Sequence, residues 1–204
     1  MQDEKTILND NQIANLVYSE DMISPFVERN VRRSEGQASD LKKILSYGLS
    51  SFGYDVRLDR EVKVFHNLSA GIIDPKRFNP EKTLQDMPVQ RDSDDSEFVI
   101  LPPNGYLLGR TVEYFKIPRD VMVICLGKST YARCGVIINV TPIEAGFEGR
   151  VVIEIANNTP LPVKIYINEG ISQFLFFKGT ACDVSYADRD GKYQGQTGVQ
   201  LPLV

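Results

Sequence analysis

The chain has 204 residues, 42% of them hydrophobic and 25% charged, which is enough apolar content to bury a real core and a length that favours one domain, 1–204. Its net charge of −4, from 23 basic against 27 acidic residues, argues against nucleic acid as a partner but leaves room for one small polyanion at a local cluster such as Lys128, Arg133, Arg189 and Lys192. No apolar run approaches the ~18–20 residues of a membrane span, the N-terminal Met1-Gln2-Asp3-Glu4-Lys5 is polar, and Cys125, Cys134 and Cys182 show no CxxC spacing; a reduced, cytoplasmic setting is expected, with no membrane partner.

Asn9-Asp10 can cap a helix, and Ile13, Leu16 and Val17 follow at helical spacing, so one amphipathic helix is predicted over 10–19 in an N-terminal helical segment, 1–43. The stretch from Arg32 to Asp40 reads as a loop. From Tyr54 onward, short runs rich in Val, Ile, Phe and Tyr and punctuated by Pro and Gly predict strands at 62–65, 98–101, 106–109, 121–126, 136–140, 151–155, 163–167, 171–177 and 184–186. Asp74 to Ser96, with Pro75, Pro80 and Pro88, is a long excursion between strands. Many short strands without helical crossovers imply a mainly β barrel or sandwich, with its core over 44–186. The glycine-punctuated Asp190–Gly198 stretch predicts a flexible C-terminal tail, 187–204.

Two segments carry chemistry. Gly127-Lys128-Ser129-Thr130-Tyr131-Ala132-Arg133 supplies a glycine, cations and hydroxyls at the start of a helical turn, where free backbone N–H groups point at phosphate oxygens. Ser129 and Arg133 lie four apart, on one face of such a turn. In Val151-Val152-Ile153-Glu154-Ile155 a carboxylate interrupts an apolar β-branched run, where burial is costly unless the group is paired or functional. A polyphosphate site beside a carboxylate of adjustable pKa suggests proton chemistry on a nucleotide, although a solvent-facing strand glutamate remains open on the residues alone. Gln173 alternates with apolar neighbours and can read a pyrimidine edge or satisfy a buried backbone group. Asp55 and Arg57 read as a structural ion pair, and His66 as an ordinary strand residue.

Gly127 to Arg133, the Val152-Ile153-Glu154 triplet, Ser51-Phe52-Gly53-Tyr54-Asp55-Val56-Arg57-Leu58 and the tail from Ser185-Tyr186-Ala187-Asp188-Arg189 to Gln196 keep one order and spacing, and together they resemble the bacterial dCTP deaminase family. The resemblance implies a distorted β-barrel of the dUTPase-like type and a homotrimer with active sites between subunits. It also implies conversion of dCTP to dUTP and ammonia, with dTTP as an inhibitor. It assigns catalysis to Glu154, Ser129 and Arg133. Substrate binding falls to Lys128, Ser129, Thr130, Tyr131, Ala132, Arg133, Val152, Ile153, Glu154, Gln173, Tyr186, Lys192 and Gln196, with Mg²⁺ carried on the triphosphate. Zinc is not expected, because zinc-dependent cytidine deaminases need a His or Cys two residues before a glutamate and a Pro-Cys-x-x-Cys pair, both absent here. Thr141 to Gly149 is similar to the nucleoside loop of dUTPases, with Glu144 and Phe147 where that loop carries Asp and Tyr. A bifunctional enzyme that continues to dUMP and pyrophosphate, or a non-catalytic nucleotide-binding barrel, are the alternatives.

Overall fold

The computed structural model describes residues 6–33, 42–66 and 71–203. Helix α1 (Asp10–Glu20) opens with the reciprocal cap its sequence encodes: the Asn9 side chain accepts from the Gln12 N–H, and the Gln12 side chain accepts from the Asn9 N–H. Its Ile13, Leu16 and Val17 are buried. Strands β1 (Ile23–Ser24), β2 (Val31–Arg33), β3 (Lys43–Ser50) and β4 (Gly53–Phe65) follow, then a short α2 (Pro80–Thr83), β5 (Leu84–Asp86), β6 (Gln90–Arg91), β7 (Glu97–Leu101), β8 (Tyr106–Lys116) and β9 (Val121–Gly127). The turn α3 (Ser129–Arg133) leads to β10 (Val136–Asn139), β11 (Glu148–Asn157), β12 (Val163–Tyr166) and β13 (Gly170–Lys178).

The main sheet has the order β10-β11-β8-β4-β13-β9, and β12-β7-β6 forms a second, smaller sheet. The strand pairs are antiparallel. The two ends of the main path approach one another, with Gly127 packed against Ile138, so the sheet curls toward a barrel. Strand alternation fills the interior: Val151, Ile153 and Ile155 of β11 point inward with Phe174 and Phe176 of β13, and the rings of Phe115 and Phe174 lie 5.1 Å apart. Register shifts in β11 between Arg150 and Val152 and in β4 between Leu58 and Val62 bend the sheet, as bulges do.

Several details differ from the sequence-based expectation. Arg32 and Arg33 belong to β2, paired to β3, while 34–41 and the N-terminal 1–5 lie outside the described residues. The segment 74–96 is not bare loop but carries α2, β5 and β6, with Asn79 capping α2. Val184–Tyr186 is not a strand: Ser185 N–H donates to Asp188 Oδ2 at 2.8 Å and folds the chain into a turn. Asp55 and Arg57 do not pair with each other. Asp55 takes the Lys128 ammonium at 2.8 Å, and Arg57 takes the fully buried Glu113 at 2.8 Å, because each partner is brought in by a neighbouring element rather than by β4 itself.

The approach of β13 to β3 is close enough to test. A Cβ at Gly170 would fall 1.8 Å from the Ser46 carbonyl oxygen and 3.2 Å from Lys128 Cε. Gly170→Ala is therefore expected to cost about 1–3 kcal/mol, the usual range for overpacking, and to lower Tm by several degrees. Gly179→Ala, which meets open space, should leave Tm unchanged in the same calorimetric scan.

Candidate active site

Because side chains alternate along β11, the residues between its buried Val151, Ile153 and Ile155 face outward, and Glu154 is one of them. It stands opposite Asn139 of β10 on one side and Leu108 of β8 on the other. The carboxyl is half-buried in a cavity of about 400 Å³ lined by Leu108, Val152, the 140–147 hairpin and the tail residues Tyr186, Tyr193 and Gln196. Burial pushes its pKa up to about 7, opposed by a backbone hydrogen bond and by the Asn139 amide, which donates to Oε2 at 3.5 Å. A carboxyl poised near neutrality can take a proton and return it.

The tail forms one wall of this cavity through specific contacts. Tyr186 packs its ring 5.9 Å from that of Phe147 and accepts from the Tyr193 N–H at 3.0 Å. Gln196 pairs with the start of β11, donating through Nε2 to the Arg150 carbonyl at 2.7 Å, while its buried Oε1 has no partner. Such an acceptor suits a ligand donor. Lys192 is exposed and turned to the Leu203 carbonyl. Glu144, at the mouth of the hairpin, is ion-paired to Arg189.

The basic turn lies elsewhere. Lys128 precedes α3 and is buried, with its ammonium held by Asp55, whose Oδ2 also accepts from Asn30. Lys128, Ser129 and Gln173 line a second cavity of about 630 Å³ with Arg29, Arg32, Ser50 and Asp55, and Gln173 Nε2 donates to Ser50 Oγ at 3.1 Å. Ser129, Thr130, Ala132 and Arg133 are exposed, and Arg133 donates back to the Ser129 carbonyl at 3.0 Å. Tyr131 and Ile153 are core residues; the Tyr131 hydroxyl accepts from the Tyr166 N–H at 2.8 Å.

The structure therefore brings together Glu154, Val152, Tyr186 and Gln196, and separately Lys128, Ser129 and Gln173. The lining of the first cavity includes two carboxylates, Glu144 and Glu154, and no cation. Residues that sequence reasoning missed include Asn139, Leu108, Tyr193 and Gln200. Asn139 became visible only through the register that sets it against Glu154, whereas Tyr193 and Gln200 sit in a stretch whose glycines signalled flexibility. Among the described residues no group of three His, Cys, Asp or Glu side chains is placed to hold a metal ion, and no helix is long and apolar enough to cross a membrane.

Residues 7–179 match the family model described as dCTP deaminase-like. The chain is 54% identical over 199 residues to a dCTP deaminase of Rickettsia bellii, covering 97% of this chain and 99% of that protein. It is equally 54% identical over 198 residues to a dCTP deaminase of Ectopseudomonas mendocina, covering 97% and 98%. In fold it is similar to the crystal structure of 2′-deoxycytidine 5′-triphosphate deaminase from Agrobacterium tumefaciens, with a TM-score of 0.53, 17% identity and 86% of this chain covered; it spans about half, 49%, of that longer chain. By matched length and identity alike, this chain belongs to the dCTP deaminase family.

Proposed function

We infer that this chain hydrolyses dCTP to dUTP and ammonia, on the way to dUMP and thymidylate. The observation that carries the reading is a half-buried carboxyl, raised to about 7, in a cavity of about 400 Å³ on a chain 54% identical to dCTP deaminases. Glu154 takes a proton from water as the oxygen attacks C4 of cytosine. The carboxyl passes that proton to N3, then takes the remaining proton from the C4 hydroxyl and passes it to the amine, so that C4=O forms as the C4–N bond breaks and ammonia leaves. Ser129 and Arg133 position water and substrate, and Gln173, Tyr186 and Gln196 hold the nucleotide.

A homotrimer supports this division of labour. Glu154 and the Lys128–Ser129 turn line separate cavities of one chain, and the Glu154 cavity has no cation of its own to meet a triphosphate. A neighbouring subunit would supply the missing half. The outward residues Met122, Ile124 and Leu126 of β9 stand beside Phe177, Leu175 and Gln173 of β13, and the largely apolar strip they form suits such a contact. Mg²⁺ would ride on phosphate oxygens and water, since the described residues offer no set of three ligands. dTTP, another pyrimidine deoxyribonucleoside triphosphate, would inhibit at the same site. The proposed setting is the cytoplasm.

Three expected outcomes test the reading. Glu154→Gln keeps the shape and loses the base, so dCTP should still bind while turnover falls by at least about 10²-fold; turnover near wild type would sink the mechanism. Because the carboxylate is the working form at the start of the reaction, kcat/KM should rise with pH through an apparent pKa of about 7 and flatten above it, and the variant should lack that limb. Since Glu144 is held by Arg189, it is poorly placed to orient a water at phosphorus, and dUTP should accumulate in a one-to-one ratio with ammonia. Pyrophosphate appearing in step with ammonia would instead identify the bifunctional enzyme.

A further inference from the structure

We propose that Arg110 and Glu61 are positioning residues, forming a latch outside the cavity that fixes the C-terminal segment across Glu154 and so presents Gln196, Gln200 and Pro202 to the nucleotide. The nucleotide part rests on the function inferred above; the latch itself rests on contacts. After the Gly195 N–H donates to the Glu148 carbonyl at 2.7 Å and the Arg150 N–H donates to the Gln196 carbonyl at 2.8 Å, the chain leaves β11 and crosses toward β8 and β4. There it meets Arg110, which stands opposite Val152 on the same outward face as Glu154. Its guanidinium is faced on three sides: one terminal nitrogen donates to the Thr197 carbonyl, the other lies 3.1 Å from Asp59 Oδ1, and Nε lies 3.0 Å from Glu61 Oε2 as an ion-pair contact without hydrogen-bond geometry.

Glu61 completes the clamp, since its other oxygen accepts from the Val199 N–H at 2.9 Å. One carboxylate thus faces both elements, the arginine as an ion pair and the tail through a charge-assisted hydrogen bond from Val199. Between these polar contacts Val199 is 7% exposed, seated on Leu84 and Leu108 with Val152 and Leu201 packed alongside. Leu108 and Val152 are also cavity wall, so the seat of the plug and the floor of the site are the same side chains. Arg110, Glu61 and Val199 do not line the cavity, whereas Gln196 before the latch and Gln200 and Pro202 after it do. With its charge balanced by Asp59 and Glu61 and one terminal N–H given to the Thr197 carbonyl, Arg110 is an organiser of the tail and not a phosphate ligand.

Full-length Arg110→Gln, Glu61→Gln and Val199→Ser test this, the last leaving the charge cluster whole. In nucleotide-free enzyme each should speed tryptic cleavage after Lys192 by about tenfold or more, because local opening of the tail becomes easier. Each should raise KM for dCTP by about tenfold with kcat changed by less than about twofold, the pattern of a lost pre-organised binding state. Arg110→Gln combined with Val199→Ser should match the worse single variant, since both release one segment. The main unfolding transition should stay in place, and Arg110→Lys should restore little, lacking the fork. Unchanged cleavage, additive effects on KM, or a fall in kcat at constant KM would overturn the latch. Failure of the wild-type enzyme to make dUTP would overturn the inferred function instead and leave the cleavage comparison decisive for the latch.

Discussion

The desolvated carboxyl of Glu154 is the constraint around which the rest is arranged. A glutamate on an exposed strand face would titrate near 4.5; here burial lifts it to about 7 with one long contact from Asn139 as side-chain compensation. That burial is not a property of β11 alone. Its inner face is sealed by Ile153 and Ile155, whereas the outer face is partly covered by the 140–147 hairpin and the tail. The raised pKa of Glu154 therefore depends on segments far from it in sequence.

A second constraint acts on the cations. Lys128 stands at the head of α3, where the resemblance assigns it to phosphate, yet within the chain its ammonium is spent on Asp55. Breaking a buried pair of this kind leaves an uncompensated charge and costs several kcal/mol. The pair ties α3 to β4, and with Gly170 lying against both Ser46 and Lys128 it fixes where the Ser129–Arg133 turn projects. Lys128 thus orients the turn, while Arg133 stays exposed at the surface. In the proposed trimer this separation has a use: the carboxyl and the cations meet only when subunits do, so assembly and activity are coupled.

How much of this was legible in the sequence follows from the range of each signal. The cap of α1 lies within four residues and the apolar run of β11 within five, and both were readable; so was a mainly β fold, from many strands without crossovers, with the barrel itself implied by the family resemblance. β3 was not read as a strand, although Leu45, Tyr47 and Leu49 alternate with Ser46 and Gly48; the strand pairs with β2 and β4 on either side. Val184–Tyr186 had strand-like residues but finds no partner strand, and the Ser185–Asp188 hydrogen bonds turn it instead. The partners of Asp55 and Arg57 lie 73 and 56 residues away, beyond any local pattern. The same holds for the site: Glu154 announces itself by breaking an apolar run, whereas Asn139 and the split between two cavities are products of strand register and sheet closure.

The tail shows how one sequence feature can carry two physical meanings. Its glycines read as freedom, and Gly195 does adopt a positive φ of +74°. Gly191 is there for a different reason, because a Cβ would fall 2.2 Å from the Tyr186 ring. Gly198 likewise passes close to Glu61, where a Cβ would sit 3.3 Å from a carboxylate oxygen. Glycine thus permits the close approach that lets a narrow segment lie flat on β8 and β11, and it also maximises the entropy lost when the segment docks. Docking held by charged contacts, the Tyr186 and Gln196 hydrogen bonds and one buried valine, against that entropy, is what keeps this cover over Glu154.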